Sequence, residues 1–224
     1  MAHGNRNGMS RASYLLGILL GVSALHAAEP LFSDDFKNGI KPGWSWVRED
    51  KAAWRTTGDG LEIRIQRGNM WGPENSGKNV LVRELPKTEN PIEISVTVEH
   101  KPTEQYEQAD LVAYYDDSHQ VKIGEELVDG KLSIVMGREE KDRARTIAII
   151  PLEKNRVELK LRIAGRQISG FFKPEGASEW KKAGECDLPG AGTPKIAIET
   201  YQGSDEKEHW AKIQNFRINE VTTQ

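Results

Sequence analysis

The 224-residue chain predicts an all-β fold, a sandwich of two antiparallel sheets. Three observations lead there. The first is strict alternation of apolar and polar residues. Leu61, Ile63 and Ile65 alternate with Glu62, Arg64 and Gln66, and Ile92, Ile94, Val96 and Val98 alternate with Glu93, Ser95, Thr97 and Glu99. Val157, Leu159, Leu161 and Ile163 do the same against Glu158, Lys160 and Arg162. A period of two sets one face on a core and the other in water.

The second observation is turn chemistry between the runs. Gly58-Asp59-Gly60, Asp116-Asp117-Ser118, Asp129-Gly130, Gly165-Arg166 and Pro189-Gly190 supply positive or preset φ angles. Shorter apolar runs over 80–85, 109–115, 121–128, 132–135, 147–150, 168–172, 196–200 and 213–218 complete the set. Strands then recur about every 10 to 15 residues, the spacing of a sandwich or jelly roll. The third observation is that no stretch of about 12 residues carries a helical stripe. Residues 179–185 are the one place where a helical turn is expected, kept short by Gly184.

The N-terminus differs from the rest. Arg6 and Arg11 precede an apolar stretch over 14–25, and Ala27 and Ala28 supply small residues before Glu29 and Pro30. That is the layout of a secretory signal peptide. The apolar stretch runs about 12 residues, whereas a membrane-spanning helix needs about 20. Residues 1–28 are therefore expected to be removed, and 29–224 to form one exported domain, secreted or periplasmic. No later segment is long and apolar enough to span a bilayer.

Of the 31 Lys and Arg, two precede residue 29, leaving 29 against 34 Asp and Glu, a formal charge of −5. No basic stretch stands out, which argues against a nucleic-acid partner. Cys186 is the single cysteine and is expected to be a small buried side chain.

Several motifs are decoys. Gly72 to Asn79 nearly spells a phosphate-binding loop, yet Asn79 stands where Ser or Thr should hold magnesium, and a strand follows where a helix is required. His100, His119 and His209 lack zinc-ligand spacing. Asp34-Asp35 and Asp116-Asp117 offer oxygens that a structural calcium could use, without EF-hand spacing; no other cofactor is expected. No Gly-x-Ser-x-Gly elbow occurs.

The candidate site comes from strand faces. With Ala109, Leu111 and Ala113 on the core, Gln108, Asp110 and Tyr114 share the opposite face. After a hairpin, Lys122, Gly124 and Glu126 alternate with Val121 and Ile123. If the two strands pair, Gln108, Asp110, Tyr114, Lys122 and Glu126 form one polar patch. Amides and carboxylates meet sugar hydroxyls, and aromatic faces cover sugar C–H patches. The same residues also suit a solvated face with cross-strand ion pairs, and the pattern leaves both readings open. At least half of the six tryptophans belong in the core. Trp71, among glycines, is the stacking candidate.

Taken together, Asp34-Asp35-Phe36, Trp44-Ser45-Trp46-Val47-Arg48-Glu49, Trp54-Arg55, Gly60-Leu61-Glu62-Ile63, Tyr106 to Leu111, Val121 to Glu126 and Asp129-Gly130 resemble the DUF1349 family. That group of concanavalin A-like domains is related to the C-terminal domain of family 43 β-xylosidases. The resemblance covers roughly residues 31–218. It implies a jelly roll of two curved sheets with a concave face suited to carbohydrate, and in the xylosidases the domain is an accessory to a catalytic propeller. Two residues depart from the pattern: Asp110 stands where Gly is typical, and Glu125 where an apolar residue is.

The expected function is a secreted, non-catalytic carbohydrate-binding module, acting through Trp71, Gln108, Asp110, Tyr114, Lys122 and Glu126. Two other readings stay open. A glycosidase or lyase on this fold would need converging acids, with Asp110 and Glu126 the pair to check. An envelope protein-interaction domain would present a flat apolar patch.

Overall fold

A computed structural model describes residues 1–4 and 29–221. The proposed signal segment therefore lies almost wholly outside the described residues. Fifteen strands follow one another: β1 (Phe32–Asp34), β2 (Trp44–Val47), β3 (Trp54–Thr57), β4 (Gly60–Arg64), β5 (Val80–Glu84), β6 (Ile92–Glu99), β7 (Gln108–Asp116) and β8 (His119–Val128). The rest are β9 (Lys131–Glu140), β10 (Arg143–Pro151), β11 (Arg156–Ala164), β12 (Gln167–Pro174), β13 (Lys181–Asp187), β14 (Lys195–Tyr201) and β15 (Trp210–Glu220). One 3-10 turn, Lys51–Ala53, is capped by the Asp50 side chain. Among the described residues, no helix is long and apolar enough to cross a membrane.

The strands form two antiparallel sheets. Sheet I runs β13-β12-β11-β6-β15-β4-β3, with β1 also on β15; sheet II runs β10-β9-β8-β7-β14-β5-β2. The alternation read from the sequence decides which face is inside. Leu61 and Ile63, Ile94, Val96 and Val98, and Leu159 and Leu161 pack from sheet I against Leu111, Val121, Ile123 and Ile198 from sheet II. Each such side chain contributes roughly 1.5–3 kcal/mol on burial, so this interlayer core dominates the fold. Trp44, Trp46 and Trp54 pack partly buried against it, Trp44 edge-on to Phe216 at 4.8 Å between ring centroids. Cys186 is buried in the same core, and burial pushes its thiol up to about 11.

The helical turn expected near 179–185 is instead part of β13, which pairs with β12. Gly184 explains the difference. A Cβ there would come within 2.7 Å of Ile147 in the other sheet, so the glycine permits close layer contact and does not end a helix.

Two features prepare the site. Residues 65–79 leave sheet I at β4 and cross to sheet II at β5. A bulge in β10 lets Thr146 pair with Gly137 and Ile149 with Val135, with Ile147 as the extra residue. Gly137 and Val135 lie two apart on one face of β9, so the bulge puts Thr146 and Ile149 on that same face.

Candidate functional site

Pairing of β7 with β8 brings Gln108 opposite Glu126, Asp110 opposite Gly124 and Tyr114 opposite Gln120. With Lys122, these residues occupy the face of sheet II turned away from the sandwich core. β14 continues that face with Tyr201 beside Gln108 and Glu199 beside Asp110. The five strand residues named from sequence thus share a face, but it is not an open one.

The 65–79 connection lies across it as a lid. Gln120 Nε2 donates to Met70 O at 2.5 Å. Gly72 N–H donates to both Glu139 oxygens at 3.1 Å. Asn75 Nδ2 reaches Asp142 in the β9–β10 turn at 3.1 Å. Gln202 N–H, just past β14, donates to Gly68 O at 3.1 Å. Met70, fully buried, packs with Val80, Val82, Val112, Tyr114 and Tyr201 into a second apolar cluster beneath the lid. The segment that mimics a phosphate loop is the far part of this lid. Gly77 lies so close to Met70 that a Cβ would approach its Cγ at 2.6 Å.

The lid leaves part of the face accessible. There, a pocket of about 570 Å³ is lined by Asn69, Trp71, Tyr106, Gln108, Lys122, Glu126, Val128, Asp129, Val135, Thr146, Ile149 and Gln202. Trp71, Gln108, Lys122 and Glu126 are therefore brought together as expected. Trp71 stands over Gly137, where any Cβ would collide with its indole, and its ring centroid lies 4.9 Å from Lys122 Nζ. Tyr106 and Ile149 form the exposed apolar rim.

Asp110 and Tyr114, expected alongside Trp71, Gln108, Lys122 and Glu126, do not line this pocket. Asp110 is completely buried and is not among the pocket-lining residues. Its carboxylate rests on Gly124, leaving no space for a Cβ there. Tyr114 lies under the lid and donates from its hydroxyl to Asp117 Oδ1 at 2.7 Å. Asp117 in turn pairs with Arg48 at 2.5 Å. Strand alternation assigns a face correctly but carries no information about what a connection 30 residues earlier lays over it.

Lys122 is the electrostatic centre. Its ammonium, only 2% exposed as a residue, donates to Gln108 Oε1, to Glu126 Oε2 at 3.1 Å and to the Tyr201 hydroxyl at 3.3 Å. Asp110 Oδ2 lies 3.8 Å away. Burial works against the ammonium, but Asp110 and Glu126 outweigh it and hold Lys122 above its ordinary pKa. Burial pushes the Asp110 carboxyl up to about 7, with Lys122 pulling against the shift and Glu126 adding to it. Glu199 is raised well above its ordinary value by burial and by Asp110 and Asp117. Neither carboxylate meets a hydrogen-bond donor among the described residues.

A second cluster escaped the sequence reading. His100, fully buried, lies 3.6 Å from Glu107 and 3.7 Å from Glu125. Glu107 also accepts from His209 Nδ1 at 2.9 Å and from the N–H groups of Thr103 and Glu104 at 2.7 and 3.0 Å. Burial opposes ionisation of Glu107, yet His100 and these amides hold it down to about 2. His100 is disfavoured as a cation by burial and raised overall by Glu107 and Glu125. The cluster fixes the loop that presents Tyr106, whose φ is +68°, an uncommon conformation for a bulky residue.

Among the described residues, no group of three or more His, Cys, Asp or Glu side chains has an arrangement that could hold a metal ion. Asp34 accepts from Phe36 N–H, Lys41 N–H and Trp44 Nε1, while Asp116 accepts from Ser118 N–H and contacts His119. Both acidic pairs considered for calcium thus contribute carboxylates to local turns, and Asp117 also holds Arg48. A further depression of about 480 Å³ lies on the outer face of sheet I. It has no aromatic lining residue, and its Arg156 and Lys173 pair with Glu99 and Glu158.

No curated protein matches the chain. Solved structures do. The GH43 protein BlXynB of Bacillus licheniformis superposes with a TM-score of 0.72 at 20% identity, covering 84% of this chain and 39% of that one. The xylan β-1,4-xylosidase of Bacillus halodurans gives 0.72 at 22%, covering 87% and 40%. The chain therefore spans about two-fifths of the length of these enzymes. The carbohydrate-binding module CBM66 of Bacillus subtilis gives 0.53 at 13%, covering 79% and 95%. At such identities the likeness is one of fold. Residues 33–199 match the family model described as the β-xylosidase C-terminal concanavalin A-like domain, and the chain belongs to that family.

Proposed function

We propose that the chain is an exported, non-catalytic carbohydrate-binding domain whose site is the pocket beside the lid. The observation that carries this reading is the pairing of aromatic walls with a polar floor in one cavity. Trp71 and Tyr106 offer ring faces to sugar C–H groups. Lys122, Gln108 and Glu126 form a charged, hydrogen-bonding floor. The fold likeness to a named carbohydrate-binding module supports the same conclusion, as does family membership. The signal-like N-terminus supports export, and the motif resemblance supports a finer place within the DUF1349 group.

The placement of the acids named from the sequence supports the non-catalytic reading. Asp110, the expected partner of Glu126, is buried beyond contact with a ligand. Glu126 itself is tied to Lys122. A pair of facing carboxyls about 5 to 10 Å apart across a bound glycosidic bond, as hydrolysis needs, is not formed by these two.

Binding of the purified protein to an array of glycans tests the reading, alongside Tyr106→Ala and Trp71→Ala variants. Each variant is expected to weaken binding by tenfold or more, in line with the ~1.5–3 kcal/mol carried by a buried aromatic contact. Binding unchanged in both variants would move the site elsewhere, and product release from the array would make the chain an enzyme.

A further inference from the structure

Resting on the sugar-binding reading, we propose that the pocket takes the end of a neutral glycan chain and rejects both chain interiors and acidic sugars. The lid is fastened at four points, to Gln202 beyond β14, to Gln120 on β8, to Glu139 on β9 and to Asp142 in the β9–β10 turn. It therefore closes one whole side. Tyr106 and Asp129, on the loops at the strand ends, face it across the cavity. Thr146 and Ile149, brought to one face by the β10 bulge, form a third side, and Gln202 the fourth. Lining residues thus come from four directions around the Gln108, Lys122 and Glu126 floor, an arrangement that suits a chain end better than a chain interior passing through. Its volume, about 570 Å³, falls in the ~300–1,000 Å³ range that encloses most of a small ligand.

Charge inside the pocket selects as well. Lys122 is the one cation lining the pocket, and its ammonium is already shared among Gln108, Glu126, Tyr201 and Asp110. Glu126 and Asp129 line the cavity as well. A carboxylate or sulfate entering it would meet two acids and a cation committed elsewhere, which costs desolvation without a compensating pair. A hydroxyl has a better reception. Glu126 uses only Oε2 on Lys122, so Oε1 is free to accept from it, a charge-assisted hydrogen bond.

The test is an array of neutral and uronate-bearing mono-, di- and hexasaccharides with their parent polymers, followed by calorimetric titration of one bound neutral series. End recognition predicts one site per protein and molar affinities that agree within about threefold from disaccharide to hexasaccharide. Uronate-ended sugars are expected to stay unbound. Affinity rising about tenfold or more with chain length, as repeated or extended contacts produce, would overturn end recognition while leaving the sugar site intact. Preference for uronates would overturn the charge argument in the same way. Absence of binding to every glycan would instead sink the sugar-binding reading itself, and this inference with it.

Discussion

Asp110 offers a direct test of how the lid and the charge network set stability. Its carboxyl, fully buried on Gly124, titrates near pH 7 against an ordinary value of 3.8. Between those values the folded chain holds a proton that the unfolded chain has released. The free energy of unfolding therefore falls as pH rises through that window, by about 1.4 kcal/mol per pH unit. Going from pH 5 to pH 8 crosses roughly two units of it, so Asp110 alone should remove about 3 kcal/mol. For a chain of this size that corresponds to roughly 6–12 °C in Tm. The Asp110→Asn variant keeps the shape and has no proton to lose. Urea unfolding of both proteins at pH 5 and pH 8 separates this side chain from every other titrating group. The wild type is expected to lose about 3 kcal/mol more than the variant over that interval. A difference between the two proteins that stays constant within about 0.5 kcal/mol across the interval would mean that Lys122 keeps Asp110 ionised throughout, and would refute the burial argument.

Two further outcomes follow from the same geometry. Lys122→Met should cost about 3–5 kcal/mol in urea unfolding, because Glu126 and Asp110 lose their shared cation inside the protein; a cost under about 1 kcal/mol would mean that the carboxyls simply protonate. Glu107 is held down to about 2, so its contribution is complete above its ordinary 4.5 and is lost as pH falls toward 2. Glu107→Gln should therefore flatten the acid limb of stability below pH 4.5 by up to about 3 kcal/mol, and an unchanged limb would exclude His100 and the loop amides as its cause.

The sandwich was legible in the sequence because strand alternation and turn residues are local signals. Ile94, Val96 and Val98, or Leu159 and Leu161, declare their inward face without reference to any other part of the chain. The pairing of Gln108 with Glu126 was equally readable, since one short turn fixes the register of β7 and β8. What the lid does was not readable. Residues 65–79 look like an irregular connection, and only the folded chain brings Gly72 to Glu139 and Met70 onto Tyr114. For that reason Asp110 and Tyr114 belong to the right face yet miss the pocket. Tyr106 opens a motif that the sequence makes visible, yet its place on the pocket rim is not readable there, because a positive φ on a tyrosine has no sequence signature. Thr146 and Ile149 were hidden by a bulge that breaks the period of two. His100, His209 and Glu107 meet across more than 100 residues, a distance no spacing rule spans.

The position of β15 governs how this molecule can be made. β6 has β11 on one side and β15 on the other, while its neighbours in sequence, β5 and β7, lie in the opposite sheet. The centre of sheet I thus cannot start from a hairpin. Residues 92–99 wait for 156–164 to bond one edge and for 210–220 to bond the other. Long-range pairing of this kind folds slowly, on the millisecond-to-second side of the range for small domains. A chain cut before residue 210 would carry β4 and β6 with bare, alternating apolar edges, ready to pair with another copy. Completion of the last strand covers both of these edges in one step.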